Sequence, residues 1–562
     1  MLAIVVMTRS MLDREAPTAR RALTPLERTV VSLPRGLTIP FGEGRPLALS
    51  PRGDALVYRG RDSSGTRLYL QLLPATAAPR AIAGTDEARD PLFSPDGSAI
   101  AFRVGAELRR VTVGGSGQAI LARTSTGFAA WSDQSLVLTD TSGSLLRLDD
   151  GEAGAGTLIA RPDHGKGETV LAVLGFVRDG SVLVAERHGG ITDRISVQDV
   201  TTRTRTRLLA GGVMFAASMG DRLVYQRDDG SVSAAPFDAG TPRLLPPPTE
   251  LERAAAIVPH APAITVSPAG VALLPLPVAD LLEFSRDGRS RELSAEPRTY
   301  HHPRFSPEGR RLLADFEMGG RREVSVLDLA QGLWTRVTTA GDASDAVWSP
   351  DGQRIAYLTR RGGPPRVYAT AADGAGAASP LVRVSGIGTS GVWLDSERLL
   401  TTRRAGAREG TGFDLVIAAG DSRSPVVATP AHESWPAVSA DRRRVAWVSS
   451  ASGRSEAWAR AIAHSAAPPV MISSGGGTEP VWSGNGELFY LEPREEELVV
   501  MAARLEATDA ALRVVDRRPL FTVRGMQTAI SHANWDASPD GRRFVFVRPR
   551  AATQVVLWRR PP

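Results

Sequence analysis

The phrase Ser-Pro-Asp-Gly, intact or altered, returns about every 44 residues along nearly the whole chain. The clearest copies begin at Ser94, Ser349 and Ser538. Each copy lies between apolar runs of roughly four to six residues that are rich in Val, Ile, Phe, Tyr and Trp. Such runs are typical of β-strands and are too short for helical repeats. A period of about 40–45 residues is that of a four-stranded propeller blade.

About twelve copies can be placed when the weaker ones at the expected spacing are included. Six blades need about 260 residues, so the 562 residues predict an all-β fold of two consecutive β-propellers, each with six four-stranded blades. The predicted divisions are an N-terminal tail over residues 1–36, a first propeller over 37–278 and a second over 279–562. A seven-plus-five division is the alternative, because the copies near Arg178 and Gly220 are weak.

The residues of the repeated phrase are those of a tight turn. Pro presets φ, Asp bonds its own backbone and Gly tolerates a positive φ, so the phrase is expected to close a hairpin. A catalytic carboxylate would not need a copy in every blade, and the repeated aspartates are therefore interpreted as structural. The Trp, Phe or Leu just before Ser is expected to pack between neighbouring blades.

The composition limits the partners of the protein. Its net charge is +6, but the basic residues are spread over every predicted blade, so nucleic acid is not expected as a partner. Lys166 is the only lysine, and the other 66 basic residues are Arg. Cysteine is absent, which excludes disulfides, thiolate catalysis and Cys-based metal sites.

The N-terminal run Met1–Met7 is apolar but far shorter than the roughly 20 residues that cross a bilayer. It has neither a basic region before it nor an Ala-x-Ala site after it, so it does not resemble a signal peptide. It could instead be the end of a longer helix, which would attach the protein to a membrane through sequence upstream of Met1.

Sequence motifs of enzymes are missing from the chain. The segment around Lys166 lacks the spacing of a phosphate-binding P-loop. There is no His-Arg-Asp or Asp-Phe-Gly kinase motif and no Gly-x-Ser-x-Gly nucleophile elbow. The sequence therefore predicts a non-enzymatic protein without a cofactor.

Unrepeated polar residues stand a few positions before the phrase in four predicted blades. They lie where the innermost strands begin, so they are expected to face the mouth of a central channel. They are His302, Asp345, His432, Glu433 and Glu479. One interpretation is that they hydrogen-bond the rim and water; the other is that they bind a cation, a polar ligand or the tip of a peptide. Histidine with carboxylates would suit a divalent cation, but no spacing is that of a metal motif, so a metal is left open.

The repeat resembles the TolB-type, or WD-repeat-like, propeller repeat. The second half is similar to the propeller region that follows the kinase domain and membrane helix of many bacterial serine/threonine receptor kinases. The matching stretches include Tyr300–Gly309, Val347–Gly352, Gly477–Trp482 and Pro519–Phe521. No catalytic residue carries over, because the kinase motifs have no matching positions here.

The resemblance implies a sensory or interaction module that binds a protein, peptide or envelope ligand. It favours an extracytoplasmic or membrane-associated location over a cytoplasmic one. The alternative function is a propeller enzyme, a lyase or hydrolase with a metal at a channel mouth, formed by His302, Asp345, His432 and Glu479.

Overall fold

A computed structural model describes residues 24–560 apart from short internal segments. The segments left out are 42–43, 124, 134, 150–155, 165–167, 179, 189–190, 211–212, 228–229, 246, 255–262, 319–320, 360–365, 384–387, 390, 405–412, 463–467, 495–496, 508–511 and 527–532. The prediction about Met1–Met7 therefore concerns residues outside the described part. The described residues form strands numbered in chain order from β1 (Glu27–Ser32) to β49 (Gln554–Arg559). None of them forms a helix with the length and apolar character needed to cross a membrane.

Six sheets, called blades 1–6, form ring 1 and are given from the innermost strand outward. Blade 1 has β2 (Leu47–Leu49), β3 (Ala55–Asp62), β4 (Gly65–Leu72) and β5 (Arg80–Ala81); blade 2 has β6 (Arg89–Phe93), β7 (Ala99–Val104), β8 (Glu107–Thr112) and β9 (Ala119–Ala122); blade 3 has β10 (Ser125–Trp131), β11 (Ser135–Asp140), β12 (Leu145–Asp149) and β13 (Thr157–Ala160). Blade 4 has β14 (Val170–Arg178), β15 (Ser181–His188), β16 (Ile191–Asp199) and β17 (Arg205–Ala210); blade 5 has β18 (Val213–Ser218), β19 (Arg222–Arg227) and β20 (Ser231–Asp238), with β21 (Arg243–Leu244) and β22 (Thr249–Arg253) both pairing with β20; blade 6 has β23 (Ile264–Ser267), β24 (Gly270–Leu273), β49 and β1.

Six further sheets, blades 7–12, form ring 2. Blade 7 has β27 (His301–Phe305), β28 (Arg311–Met318), β29 (Arg321–Asp328) and β30 (Leu333–Arg336); blade 8 has β31 (Ser344–Trp348), β32 (Arg354–Thr359), β33 (Arg366–Ala371) and β34 (Ser379–Val382); blade 9 has β35 (Val392–Trp393), β36 (Leu399–Arg404), β37 (Phe413–Ala419) and β38 (Ser422–Val427). Blade 10 has β39 (Glu433–Val438), β40 (Arg444–Ser449), β41 (Glu456–Ala461) and β42 (Val470–Met471); blade 11 has β43 (Thr478–Trp482), β44 (Leu488–Arg494), β45 (Glu497–Ala507) and β46 (Leu512–Arg524); blade 12 has β47 (Trp535–Ala537), β48 (Arg543–Pro549), β25 (Ala279–Ser285) and β26 (Ser290–Glu292).

The innermost strands of each ring contact one another in a closed cycle. In ring 1 the cycle runs β2, β6, β10, β14, β18, β23 and back to β2, and in ring 2 it runs β27, β31, β35, β39, β43, β47 and back to β27. Buried apolar side chains fill the spaces between neighbouring blades, as where Val57 and Leu70 of blade 1 meet Ile100 and Phe102 of blade 2. The all-β propeller fold is thus confirmed, and the predicted six-plus-six blade count is consistent with these sheets.

The last blade of each ring is assembled from two distant parts of the chain. In blade 6, β49 pairs antiparallel with β24 on one side and with β1 on the other. In blade 12, β25 pairs with β48. The predicted divisions differ from this pairing at two places, because residues 27–32 belong to a blade and not to the 1–36 tail, and residues 554–559 belong to ring 1 and not to the 279–562 unit. Closing a ring requires hydrogen bonds between its first and last segments, and the short phrase carries no signal for such distant pairing.

The Ser-Pro-Asp-Gly segments form the predicted turns between the first and second strands of a blade. In blade 8, Ser349 Oγ donates to Asp351 Oδ1 at 2.5 Å and accepts from Arg354 N at 2.8 Å. Gly352 N closes the turn on the Ser349 carbonyl at 2.9 Å, with φ at 68°. The hydroxyl bond holds the pKa of Asp351 below its ordinary value. The interpretation of the repeated aspartates as turn residues is therefore confirmed.

Stacked arginine and aromatic side chains join neighbouring blades in ring 2. The arginine five residues after the turn serine lies over the aromatic ring that ends the innermost strand of the next blade. The pairs are Arg311 on Trp348, Arg354 on Trp393, Arg444 on Trp482 and Arg543 on Phe305, with 4.6, 4.8, 4.9 and 5.2 Å from guanidinium carbon to ring centroid. Planar guanidinium suits this stacking better than an ammonium group, so arginine is specifically favoured at the position.

We expect Arg354→Ala to lower the free energy of unfolding by about 1 kcal/mol, because it removes the stack on Trp393. It also removes a bond from the guanidinium to the Ser396 carbonyl. Thermal unfolding followed by circular dichroism measures the change. Arg366→Ala, at an exposed arginine of the same blade, is the matched control and should change little. Equal destabilisation by both substitutions would contradict a stabilising role for the stack.

Candidate functional site

Three of the five polar residues predicted at the channel mouth, His302, Asp345 and Glu479, belong to a repeated β-bulge. Four residues before the turn serine, several innermost strands place one residue at positive φ, and the strand register shifts there. The residues are Asp90, His302, Asp345, Trp435 and Glu479, with φ between 49° and 54°. Residues other than glycine rarely adopt this conformation. The bulge turns their side chains toward neighbouring blades, as the following contacts show.

Glu479 and Asn534 tie successive blades together around the channel. Glu479 Oε2 accepts a hydrogen bond from Asn534 N at 2.7 Å, and Asn534 Oδ1 accepts one from His302 N at 2.7 Å. Glu479 and Asn534 are fully buried. These contacts link blade 11 to blade 12 and blade 12 to blade 7. The predicted ligand residue Glu479 thus has a structural role in closing the ring.

His302 uses both of its ring nitrogens within the protein. Nδ1 lies 3.1 Å from the Ala346 carbonyl oxygen, which can only accept, so Nδ1 carries the proton. Nε2 lies 2.6 Å from Arg304 Nη2, which can only donate, so Nε2 is the acceptor. The imidazole is therefore neutral and orients the Arg304 guanidinium. It does not present a nitrogen to a metal ion in this arrangement.

Asp345 lies in a cluster with His301 and Asp315 at the start of the innermost strands. His301 Nδ1 lies 3.2 Å from Asp315 Oδ2 and 3.8 Å from Asp345 Oδ1. Arg322 Nη1 donates to Asp315 Oδ2 at 2.7 Å. Burial raises the pKa of Asp315, but His301 and Arg322 outweigh burial and leave it below its ordinary value. Three potential metal ligands thus lie within 4.8 Å of one another, beside a guanidinium.

Ring 1 has different residues at the three positions that correspond to this cluster. Counted from the turn serine, they are Arg45, Arg59 and Asp90, all buried. Arg45 N donates to Asp90 Oδ1 at 2.7 Å, so the carboxylate again links two blades. Among the described residues, the grouping of one imidazole with two carboxylates is thus found in ring 2, and blades 1 and 2 of ring 1 do not repeat it.

His432 and Glu433 are buried where the innermost strand of blade 10 begins. The His432 ring meets Phe413 edge to face, at 5.2 Å between centroids. Glu433 Oε1 accepts hydrogen bonds from Thr429 Oγ1 at 2.6 Å and Ser449 Oγ at 3.2 Å. Burial raises the pKa of Glu433 to about 8. This carboxyl group is therefore largely protonated at neutral pH.

A cavity of about 320 Å³ occupies the channel of ring 2 and receives residues from all six innermost strands or the segments just before and after them. Aromatic and proline side chains form much of its wall. They include Phe305, Trp348, Trp435, Trp482, Pro436, Pro480 and Pro539. The size is at the lower end of ligand pockets, which span roughly 300–1,000 Å³. The cavity also contains the charged residues Arg304, Arg442 and Asp536.

Arg304 and Asp536 come from adjacent blades and are both two residues before a turn serine. Arg304 donates to the carbonyl oxygens of Trp535 at 3.0 Å and Ala533 at 2.5 Å. Burial lowers the pKa of Arg304, and Asp536 acts in the opposite direction. Asp536 Oδ2 accepts from Phe305 N at 2.8 Å. Burial raises the pKa of Asp536 to about 6, although Arg304 opposes the shift.

Among the described residues that line the cavity, His302 is the one member of the predicted site. Asp345 and Glu479 lie at bulges on the rim, and His432 and Glu433 are buried where β39 begins. Sequence reasoning missed the charged residues of the channel. A signal was present, because Arg304 and Asp536 occupy a repeat position that is apolar in other copies. Those copies have Ala48, Leu92, Val347, Ala437 and Val481.

No family model matches the chain. Solved structures that are similar to it include a TolB-type protein from Agrobacterium tumefaciens, 19% identical with a TM-score of 0.40, covering 49% of this chain and 99% of the other. Another is TolB from Acinetobacter baumannii, 13% identical with a TM-score of 0.20, covering 76% of this chain and 79% of the other. A third is an oligogalacturonate lyase in complex with manganese, 13% identical with a TM-score of 0.29, covering 62% and 96%.

The four-stranded antiparallel sheets and the two closed cycles of innermost strands define the molecule as an all-β propeller protein.

We expect Glu433→Gln to alter the pH dependence of stability. The folded state raises the Glu433 pKa from 4.5 to about 8, so the wild-type protein loses stability as pH rises through this window. Below pH 4.5 the carboxyl group is protonated in both states and this loss is absent. The thermal midpoint of the variant minus that of the wild type should therefore increase from pH 4.5 to pH 8.

Glu397→Gln, at an exposed glutamate of blade 9, is the control for the same substitution at the surface. A difference for Glu433→Gln that is constant over the same range would contradict the raised pKa.

Proposed function

We propose that this protein is a non-enzymatic binding module and that ring 2 holds a segment of a protein or peptide in its central channel. The observation that carries the proposal is the cavity of about 320 Å³ with contributions from all six blades of that ring. A cavity made by every blade is as rigid as the ring itself, so a ligand can bind without ordering the site first.

The composition of the cavity supports a peptide as its occupant. Tryptophan and proline surfaces supply apolar contact area, and Arg304, Arg442 and Asp536 supply charge. Large rigid aromatic groups with a few charged groups are typical of surfaces that bind peptides and proteins. A narrow channel would admit an extended chain or the tip of a loop rather than a folded surface.

The resemblance to the propeller region of bacterial receptor kinases supports a further part of the proposal. In this interpretation the propellers act as a sensory module outside the cytoplasm and bind an envelope protein or peptide. The missing catalytic motifs agree with a binding role for this chain.

We expect a library of random dodecapeptides, displayed with free C-termini, to yield sequences that bind the full chain in the ring 2 channel. Ala437→Phe adds an aromatic ring to the cavity wall and should weaken the selected peptides by about 10-fold or more. Fluorescence anisotropy of the labelled peptides measures the affinity. A selected peptide that carries a photo-crosslinker should label Trp435 or its neighbours.

Ala48→Phe makes the same change at the equivalent position of ring 1 and should leave peptide affinity unchanged. Thermal midpoints of both variants show whether they are folded. Peptides that crosslink outside the channel, and whose affinity Ala437→Phe leaves intact, would overturn the proposal.

A metal-dependent propeller enzyme is the second candidate, and the cluster of His301, Asp315 and Asp345 favours it. Ligands about 2.1 Å from one divalent cation lie roughly 3–3.5 Å apart, so the 3.2 Å spacing between His301 and Asp315 fits such a cation, whereas the 3.8 Å spacing between His301 and Asp345 is wider. The bond from Arg322 to Asp315 disfavours it, since a guanidinium already compensates that carboxylate.

Metal analysis by plasma mass spectrometry separates the two candidates. If the protein is a metal-dependent enzyme, the wild type dialysed against micromolar metal should contain about one equivalent of Mn²⁺ or Zn²⁺, and Asp345→Asn should lose this metal. Asp351→Asn, at a turn aspartate, is the control and should retain the metal. Since we propose a binding module, we expect no stoichiometric metal in the wild-type protein.

A further inference from the structure

Arg442 occupies a position at which most turns of this protein have glycine. The turn Ser439-Ala440-Asp441-Arg442 has the same closing bond as its equivalents, from Arg442 N to the Ser439 carbonyl at 2.9 Å. The backbone is also the same, with φ at 60° for Arg442 against 68° for Gly352 and 66° for Gly541. A side chain is unfavourable in this conformation, so the turn itself gives no reason for an arginine.

The Arg442 side chain extends over the ring 2 cavity and helps to line it. Arg442 Nη1 donates a hydrogen bond of 2.9 Å to the Trp393 carbonyl of the neighbouring blade, which fixes the direction of the Arg442 side chain. The adjacent carboxylate of Asp441 forms its ion pair with Arg444, at 3.2 Å. A guanidinium has five N–H donors, so Arg442 retains donors for a ligand at the edge of the cavity.

The charges inside the cavity favour an anionic ligand. Arg304 donates hydrogen bonds to backbone carbonyls and to the imidazole of His302, while the nearby carboxylate of Asp536 stabilises its charge. Asp536 is the one carboxylate that lines the cavity among the described residues. Its pKa of about 6 leaves it mostly ionised at neutral pH. The charged residues that line the cavity are therefore two guanidiniums and one carboxylate, an excess of one positive charge.

We infer that the ring 2 channel selects acidic peptides and that Arg442 binds a ligand carboxylate at the channel mouth. Arginine can form a bidentate ion pair with a carboxylate, and the tryptophan walls exclude water that would weaken this pair. The carboxylate belongs either to an Asp or Glu side chain or to the C-terminus of the peptide. The inference rests on the proposed function and adds the chemical class of the ligand.

The test uses the peptides selected on the wild-type full chain and the variant Arg442→Gly. This substitution restores the residue that the turn conformation prefers, so the thermal midpoint should be unchanged or higher. The affinity for selected peptides should fall by about 10-fold or more. Arg442→Lys keeps the charge but cannot form the bidentate pair. Its affinity for the selected peptides should therefore lie between that of Arg442→Gly and that of the wild type.

Arg443→Ala is the matched control, because it removes the same charge from an exposed position in the same turn. It should change peptide affinity less than about 2-fold, as expected for a charge at the rim. Peptides with Asp and Glu replaced by Asn and Gln, and peptides with an amidated C-terminus, show which carboxylate is bound. One of the two changes should reproduce the loss seen in Arg442→Gly.

The possible failures are distinguishable. Peptides that require an open channel but bind Arg442→Gly as well as the wild type would overturn the inference and leave the proposed function standing. The inference would also fail, and the proposed function stand, if neutral or basic peptides bound in the channel or if neither carboxylate change altered peptide affinity. If the channel-filling variant Ala437→Phe did not alter the affinity of the selected peptides, both the inference and the proposed function would be overturned.

Discussion

Contact between neighbouring blades is the interaction on which the rest of this structure depends. A four-stranded blade has two apolar faces and cannot bury either of them alone, so each sheet is stable only against the next. In ring 2 the stacks of Arg354 on Trp393 and Arg444 on Trp482 join neighbouring sheets. Glu479, at a bulge, and Asn534 join neighbouring blades at the channel, since their side chains accept hydrogen bonds from backbone amides. The rigid ring that results is what keeps a cavity open at its centre.

The cavity is made by exceptions to the repeat that builds the ring. At the position two residues before the turn serine, apolar residues such as Val347 and Val481 are replaced by Arg304 and Asp536. At the last position of the turn, glycine is replaced by Arg442. None of these charges is needed to form a blade, because other blades do without them. Burial shifts the pKa of all three groups toward the neutral form, so the ring bears a cost that a ligand would offset.

The turn phrase allowed the all-β fold, the blade period and the structural role of Asp351 to be predicted, because these depend on local chemistry. The pairing of β49 with β24 could not be predicted, since the partners lie far apart in sequence and share no motif. His302 lines the channel cavity, but its two nitrogens are used by Ala346 and Arg304. A convergent site was expected from all five residues, whereas the other four are not among the described residues that line the cavity. Proximity to a strand start does not determine which way a bulge turns a side chain.

Blade 6 has a consequence for the order in which this protein is made. Its third strand, β49, follows the whole of ring 2 in the chain, and β25 and β48 complete ring 2 before β49 is synthesised. During synthesis, ring 1 therefore exposes the edge of β24 until all of ring 2 has been made, and an exposed strand edge can pair with other chains. Ring 1 comes first in the sequence but is complete only when β49 has joined blade 6. A chain interrupted anywhere in ring 2 would leave ring 1 open and recognisable to proteases.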